Sequence, residues 1–122
     1  FMAFEIFGTP AELAFYYDDD GTDLEMGESC TGCTGGMLHL QCPTLSPASP
    51  RDGENDPAIE ATVFRDGEVW QTGCGSFDVS EPGAYRARVD ITPNHLTPFF
   101  GEDPTPYLHP FPWVYTNAIR VQ

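Results

Sequence analysis

Apolar and polar residues alternate with a period of two along most of this chain, and short clusters of Gly, Pro, Asp and Asn interrupt the alternation. A period of two puts successive side chains on opposite faces of an extended backbone, so it predicts strands. The clearest case is AIEATVFRDGEVWQTGCG, where Ile59, Ala61 and Val63 alternate with polar neighbours and EVWQTG returns after Asp66-Gly67. Asp-Gly tolerates the positive φ that a tight hairpin turn needs, so this stretch reads as a hairpin. GAYRARVDI sets Tyr85, Ala87, Val89 and Ile91 against Ala84, Arg86 and Arg88, and GGMLHLQC sets Leu38, Leu40 and Cys42 against Met37, His39 and Gln41. FMAFEIFG is a β-prone run of strand length, and ELAFYYDDDGTDLEMG reads as two strands joined at DDDG. PFPWVYTNAIRVQ closes the chain as a last strand, with Trp113, Tyr115, Ile119 and Val121 expected to pack inward. One exception to extended backbone is TPNHLTPFFG. There Thr92 caps a helical turn, Pro93 suits its first position, and Pro98 and Gly101 stop it.

Roughly seven or eight short strands separated by turn signals, with no crossover helix, predict an all-β antiparallel sandwich. The segment EPGAYRARV sharpens this to an immunoglobulin-like sandwich. A Gly-x-Tyr entering a late strand is the pattern of a tyrosine corner, in which the ring packs and the hydroxyl meets a backbone group. Two segments fall outside the strand pattern. One is the Pro-rich loop over residues 43–57, whose Ser, Thr and Pro content suits O-linked sugar; the other is the Pro/aromatic loop over residues 101–112. The 122 residues fit a single domain over 1–122. Twelve Gly and twelve Pro suit a fold of many turns far better than helices, which both residues disrupt.

Nineteen acidic residues face five arginines and no lysine, for a net charge of −14. Nucleic acid and anionic lipid both need a basic footprint, so neither is a partner. A repulsive, solvated surface explains such a charge in an extracellular or salt-exposed protein, and calcium capture is the sharper alternative. No apolar run reaches the roughly 18–20 residues of a membrane span, so no membrane insertion is expected. The chain opens on Phe1 rather than Met, which reads as a processed start or as a piece of a longer polypeptide.

Cys30, Cys33, Cys42 and Cys74 are an even set in a small, turn-rich chain, which favours disulfides and an extracellular or cell-surface location. Sequence leaves three pairings open. The favoured one joins Cys30 to Cys33 and Cys42 to Cys74; the longer bridge would contribute about 3–4 kcal/mol in the chain-entropy model. CTGC also has thioredoxin-type spacing, but glycines surround it and no helix pattern follows to lower a thiol pKa. A zinc site from the four cysteines lacks a second C-x-x-C knuckle.

Asp18, Asp20 and Asp23, completed by Glu25 or Glu28, have the oxygen density that calcium prefers around the DDDG turn. Solvated hairpin acids are the plainer reading. Trp70 and Trp113 sit inside strand patterns and read as core. Tyr107, His109 and Phe111 of the Pro-spaced loop, with Trp113 beside them, are the candidate contact surface for a protein partner, further copies of the chain, or a glycan. Such a loop is stiff and loses little entropy on docking. No G-x-S-x-G, phosphate-loop or blue-copper pattern occurs.

VFRDGEVW, PGAYRARVDITPNHLTPFFG and PWVYTNAIRV together resemble the C-terminal β-sandwich that follows the catalytic barrel in PHP-type metallohydrolases of the carbamate-hydrolase-like group. The resemblance covers roughly residues 58–121. It implies an accessory domain, either the appended domain without its enzyme half or a stand-alone relative with another role. The family's catalytic half binds metals through clustered His and Asp residues beginning with His-x-His; here His39, His95 and His109 are isolated in sequence, so no catalytic residue carries over. The leading expectation is an extracellular accessory or interaction domain without a cofactor. The alternatives are a self-assembling, filament-type subunit of the cell surface, and a calcium-dependent or carbohydrate-binding module.

Overall fold

The computed structural model describes residues 2–3, 8, 10–19, 21–46, 57–99 and 108–122. Asp20, Tyr107, residues 47–56 of the Pro-rich loop and residues 101–107 of the Pro/aromatic loop lie outside the described residues, as does the interior of FMAFEIFG.

The described chain is an immunoglobulin-like antiparallel sandwich of β-strands. The strands are β1 (Met2–Ala3), β2 (Pro10–Ala11), β3 (Ala14–Asp19), β4 (Thr22–Glu25), β5 (Ser29–Cys30), β6 (Met37–Gln41) and β7 (Thr44–Leu45). There follow β8 (Ala58–Arg65), β9 (Glu68–Thr72), β10 (Gly75–Asp78), β11 (Gly83–Thr92), β12 (Phe111–Tyr115) and β13 (Ile119–Val121). In the first sheet β11 is central: β8 and then β9 lie on one side, while β12 and β13 share the other. β1 pairs with β12, and β5 runs parallel to β13. The second sheet has the order β10-β6-β3-β4. Because the chain leaves the second sheet after β6 for β8 and β9, returns to it at β10 and leaves again for β11, neither sheet forms from one local stretch.

Alternation places the core. Phe15, Tyr17, Leu38 and Leu40 face inward from the second sheet, and Val63, Tyr85, Ala87, Val89 and Ile91 from the first, all buried. Trp70 bridges the layers edge-on, 5.0 Å from the Tyr85 ring and 5.9 Å from the Phe77 ring. The tyrosine corner is present: Tyr85 donates its hydroxyl proton to the Glu81 carbonyl at 2.6 Å. The β8–β9 hairpin turns through Asp66 and Gly67, at φ of 52° and 86°. Both disulfides join the favoured pairs, Cys30–Cys33 and Cys42–Cys74. They place the folded chain in an oxidising environment, and among the described residues no helix is long and apolar enough to cross a membrane. The predicted helical turn is a 3-10 helix over Asn94–Phe99.

Three expectations are corrected. The stretch expected to be one closing strand is two, β12 and β13. Between them Thr116 turns inward to accept the Ala87 amide proton on Oγ1 at 2.8 Å, which breaks the run. Tyr115 does not pack inward: it pairs with Arg88, whose side chain is on the outer face. A register shift between Val89 and Asp90 lets Trp113 and Val114 both be fully buried although they are adjacent. Finally, the start of the Pro-rich loop is ordered, because β7 pairs with β2.

Candidate functional site

The inward residues of each strand are committed to the core, so chemistry available to a ligand lies on the two outer sheet faces. The first face follows from the register. Phe64 pairs with Arg86 and Val69, and Arg88 pairs with Thr62 and Tyr115, so these side chains stand together on the outside. Arg120 lies opposite Ala84 on the same face. The Arg88 guanidinium sits 5.4 Å over the Phe64 ring, a cation–π contact, and its Nε lies 3.1 Å from Asp90 Oδ1. That ion pair is bent away from hydrogen-bond geometry, so Nε and Oδ1 attract as charges without an aligned bond. Phe64, Asp66, Ala84, Arg86, Arg88 and Tyr115 line an open groove of about 460 Å³.

One end of the groove is braced. Asp66 accepts the Ala84 amide proton on Oδ1 at 2.9 Å and donates its own amide to the Ala84 carbonyl at 2.9 Å. Arg65 donates to the Pro82 carbonyl at 2.7 Å and pairs with Glu81 at 3.1 Å. Burial holds the Tyr85 phenol above the usual tyrosine pKa, against the lowering influence of Arg65.

The second face is of opposite character. Ser76, His39, Tyr16 and Glu25 form one row across four strands, with Asp78, Met37, Asp18 and Asp23 in the next. His39 Nδ1 is 2.8 Å from Ser76 Oγ, and the His39 and Tyr16 rings stack with centroids 4.7 Å apart. Beneath this face, Tyr17 accepts the Gly36 amide proton at 2.8 Å and donates to the Cys33 carbonyl. Burial raises the Tyr17 pKa, the Gly36 amide opposes the rise, and Asp19 adds to it.

Of the calcium candidates, Asp18 and Asp23 are cross-strand partners and Glu25 lies on the same face, opposite Tyr16. Among the described residues no three His, Cys, Asp or Glu groups are placed to hold a metal ion. Of the aromatic candidates, the exposed His109 ring tilts against Phe111 at 4.0 Å. Trp113 is fully buried and donates its indole proton to the Gly8 carbonyl at 2.9 Å, so it belongs to the core and offers no contact surface. The Arg–aromatic groove and the His39–Ser76 pair were not singled out from sequence. RAR at period two places Arg86 and Arg88 on one face, but Phe64, Tyr115 and Ser76 reach their partners only through strand register. Comparison with family models, with curated proteins and with solved structures finds no match to this chain.

Proposed function

We propose that this chain is a non-catalytic accessory domain, working outside the cell, that resembles the tail domain of PHP-type metallohydrolases and presents its first sheet to a protein partner. One observation carries this reading. VFRDGEVW, PGAYRARVDITPNHLTPFFG and PWVYTNAIRV, the segments of the resemblance, contribute to neighbouring strands of one sheet, β8–β9, β11 and β12–β13. Their outward residues Phe64, Arg86, Arg88 and Tyr115 converge on a single groove. Rigid strands hold these side chains, so a partner that docks there orders few of them and loses little entropy. Any catalysis belongs to a part of the polypeptide outside residues 1–122.

The coding sequence upstream of Phe1 tests the reading. A reading frame that continues into a segment with a His-x-His cluster supports it. A secretion signal joined directly to Phe1 refutes it and leaves a free-standing domain.

A further inference from the structure

We propose that the two outer sheet faces recognise each other between copies of this chain, the arginine–aromatic face of one against the acidic face of the next. The inference takes the same groove as the accessory reading and makes a second copy of this chain its occupant, so it can fail while a different partner still binds there. Among the described arginines, Arg65 is paired with Glu81 and Arg88 with Asp90, whereas Arg86 and Arg120 have no ion-pair partner. Both of these unpaired cations project from the first sheet's outer face, where Glu60, Asp66 and Asp90 balance the charge of the face as a whole but form an ion pair with neither of them. The opposite face carries Asp18, Asp23, Glu25 and Asp78, and its strands β3, β4, β6 and β10 contain no Arg or Lys.

Apolar exposure divides the same way. Val69 is 64% exposed beside Phe64 on the first face, and Met37 is 38% exposed beside Asp18 on the second. Each face therefore offers an apolar contact, beside the two unpaired arginines on the first and beside four carboxylates on the second. Two acidic faces do not match, since together they would set eight carboxylates against each other with no Arg or Lys on their strands. A net charge of −14 adds general repulsion between copies. At physiological salt that repulsion is screened beyond about 8 Å, while pairs in contact are screened much less. A contact between two different patches is heterologous. Every added copy leaves one free face at each end, so growth continues into rings or open filaments.

Sedimentation velocity from micromolar to millimolar concentration tests this. The unaltered chain is expected to gain mass with concentration past the dimer. Arg86→Glu spoils one face and Asp18→Arg the other, and each alone is expected to lose at least tenfold in self-affinity. An equimolar mixture of the two still contains one intact acidic face and one intact arginine–aromatic face, so it is expected to associate where neither variant does alone. Asp78→Arg serves in place of Asp18→Arg if the latter loses native circular dichroism. A chain that stays monomeric throughout overturns the proposal, as does either variant assembling like the parent. So does a mixture that fails to pair while the parent assembles.

Discussion

Replacing Tyr17 by Phe removes one oxygen from a fully buried side chain and leaves the ring in place. That oxygen has two partners: it accepts the buried Gly36 amide at 2.8 Å and donates to the Cys33 carbonyl. Neither partner finds a replacement inside the sandwich. A buried amide left without an acceptor costs about 1–3 kcal/mol, and a lost hydrogen bond to a partly exposed carbonyl about 0.5–1.5. The sum is a loss of roughly 2–4 kcal/mol, a large fraction of the stability of a small domain. Gly36 lies tight against both groups, since a Cβ there would crowd the Asp18 carbonyl oxygen and stand 2.7 Å from the Tyr17 hydroxyl. The assay is urea denaturation with both disulfides intact, where the midpoint falls and the slope is unchanged. Tyr16→Phe is the control. Its ring stacks on His39 on the outer face, so its cost is expected to stay within about 0.5 kcal/mol. A Tyr17→Phe midpoint indistinguishable from that control would refute the account of the buried hydroxyl.

Two further outcomes follow from the same structure. Replacing Cys42 and Cys74 by Ser opens a bridge of sequence separation 32, and replacing Cys30 and Cys33 opens one of separation 3. Chain entropy sets the costs near 4 and 2 kcal/mol respectively, so thermal unfolding should rank the first pair as the more damaging. Burial raises the pKa of both Tyr17 and Tyr85. The folded chain thus holds these protons to higher pH than the unfolded chain does. The stability they contribute is whole below about pH 10 and is lost as pH climbs through the raised values. The melting temperature is expected to fall in alkali, and the fall to be shallower in the Tyr17→Phe/Tyr85→Phe double variant.

Apart from the Cys42–Cys74 bridge, what sequence made legible was local. The Asp66-Gly67 turn, the alternation of β6, β8 and β11, and the tyrosine corner are each contained in fewer than a dozen consecutive residues, and period and turn chemistry specify them without tertiary help. The failures are all non-local. Tyr115 looks like core in VYTNAIRV until the shift at Val89 and Asp90 is known, and that shift depends on how β12 aligns with β11. Thr116 ends β12 because the Ala87 amide, 29 residues away, needs an acceptor. The outer faces were illegible for the same reason: Ser76 meets His39 across 37 residues, and no local pattern records that distance. Trp113 is the core residue that its strand pattern predicted, and only its second reading, as part of the contact surface, fails, because proximity to a Pro-spaced loop does not show which way a strand residue faces.

β11 carries stability on one face and recognition on the other, which makes the two separable by experiment. Tyr85 points inward, fully buried, with its hydroxyl on the Glu81 carbonyl, while Arg86, the next residue, points out into the groove without an ion pair. Tyr85→Phe removes a hydrogen bond worth about 1 kcal/mol, which for a domain of this size lowers the melting temperature by about 3–6 °C. The backbone of β11 remains held by β8 on one side and by β12 and β13 on the other, so the groove keeps its shape and association should be unchanged. Arg86→Glu removes no buried contact, so its melting temperature should stay within about 2 °C of the parent while association is lost. Thermal melts and sedimentation on the two variants read both quantities. If Tyr85→Phe weakens association as much as Arg86→Glu does, recognition depends on the corner and not on charge displayed by a rigid strand. If Arg86→Glu lowers the melting temperature as far as Tyr85→Phe, the arginine is a structural residue and the groove loses its claim to be a binding face.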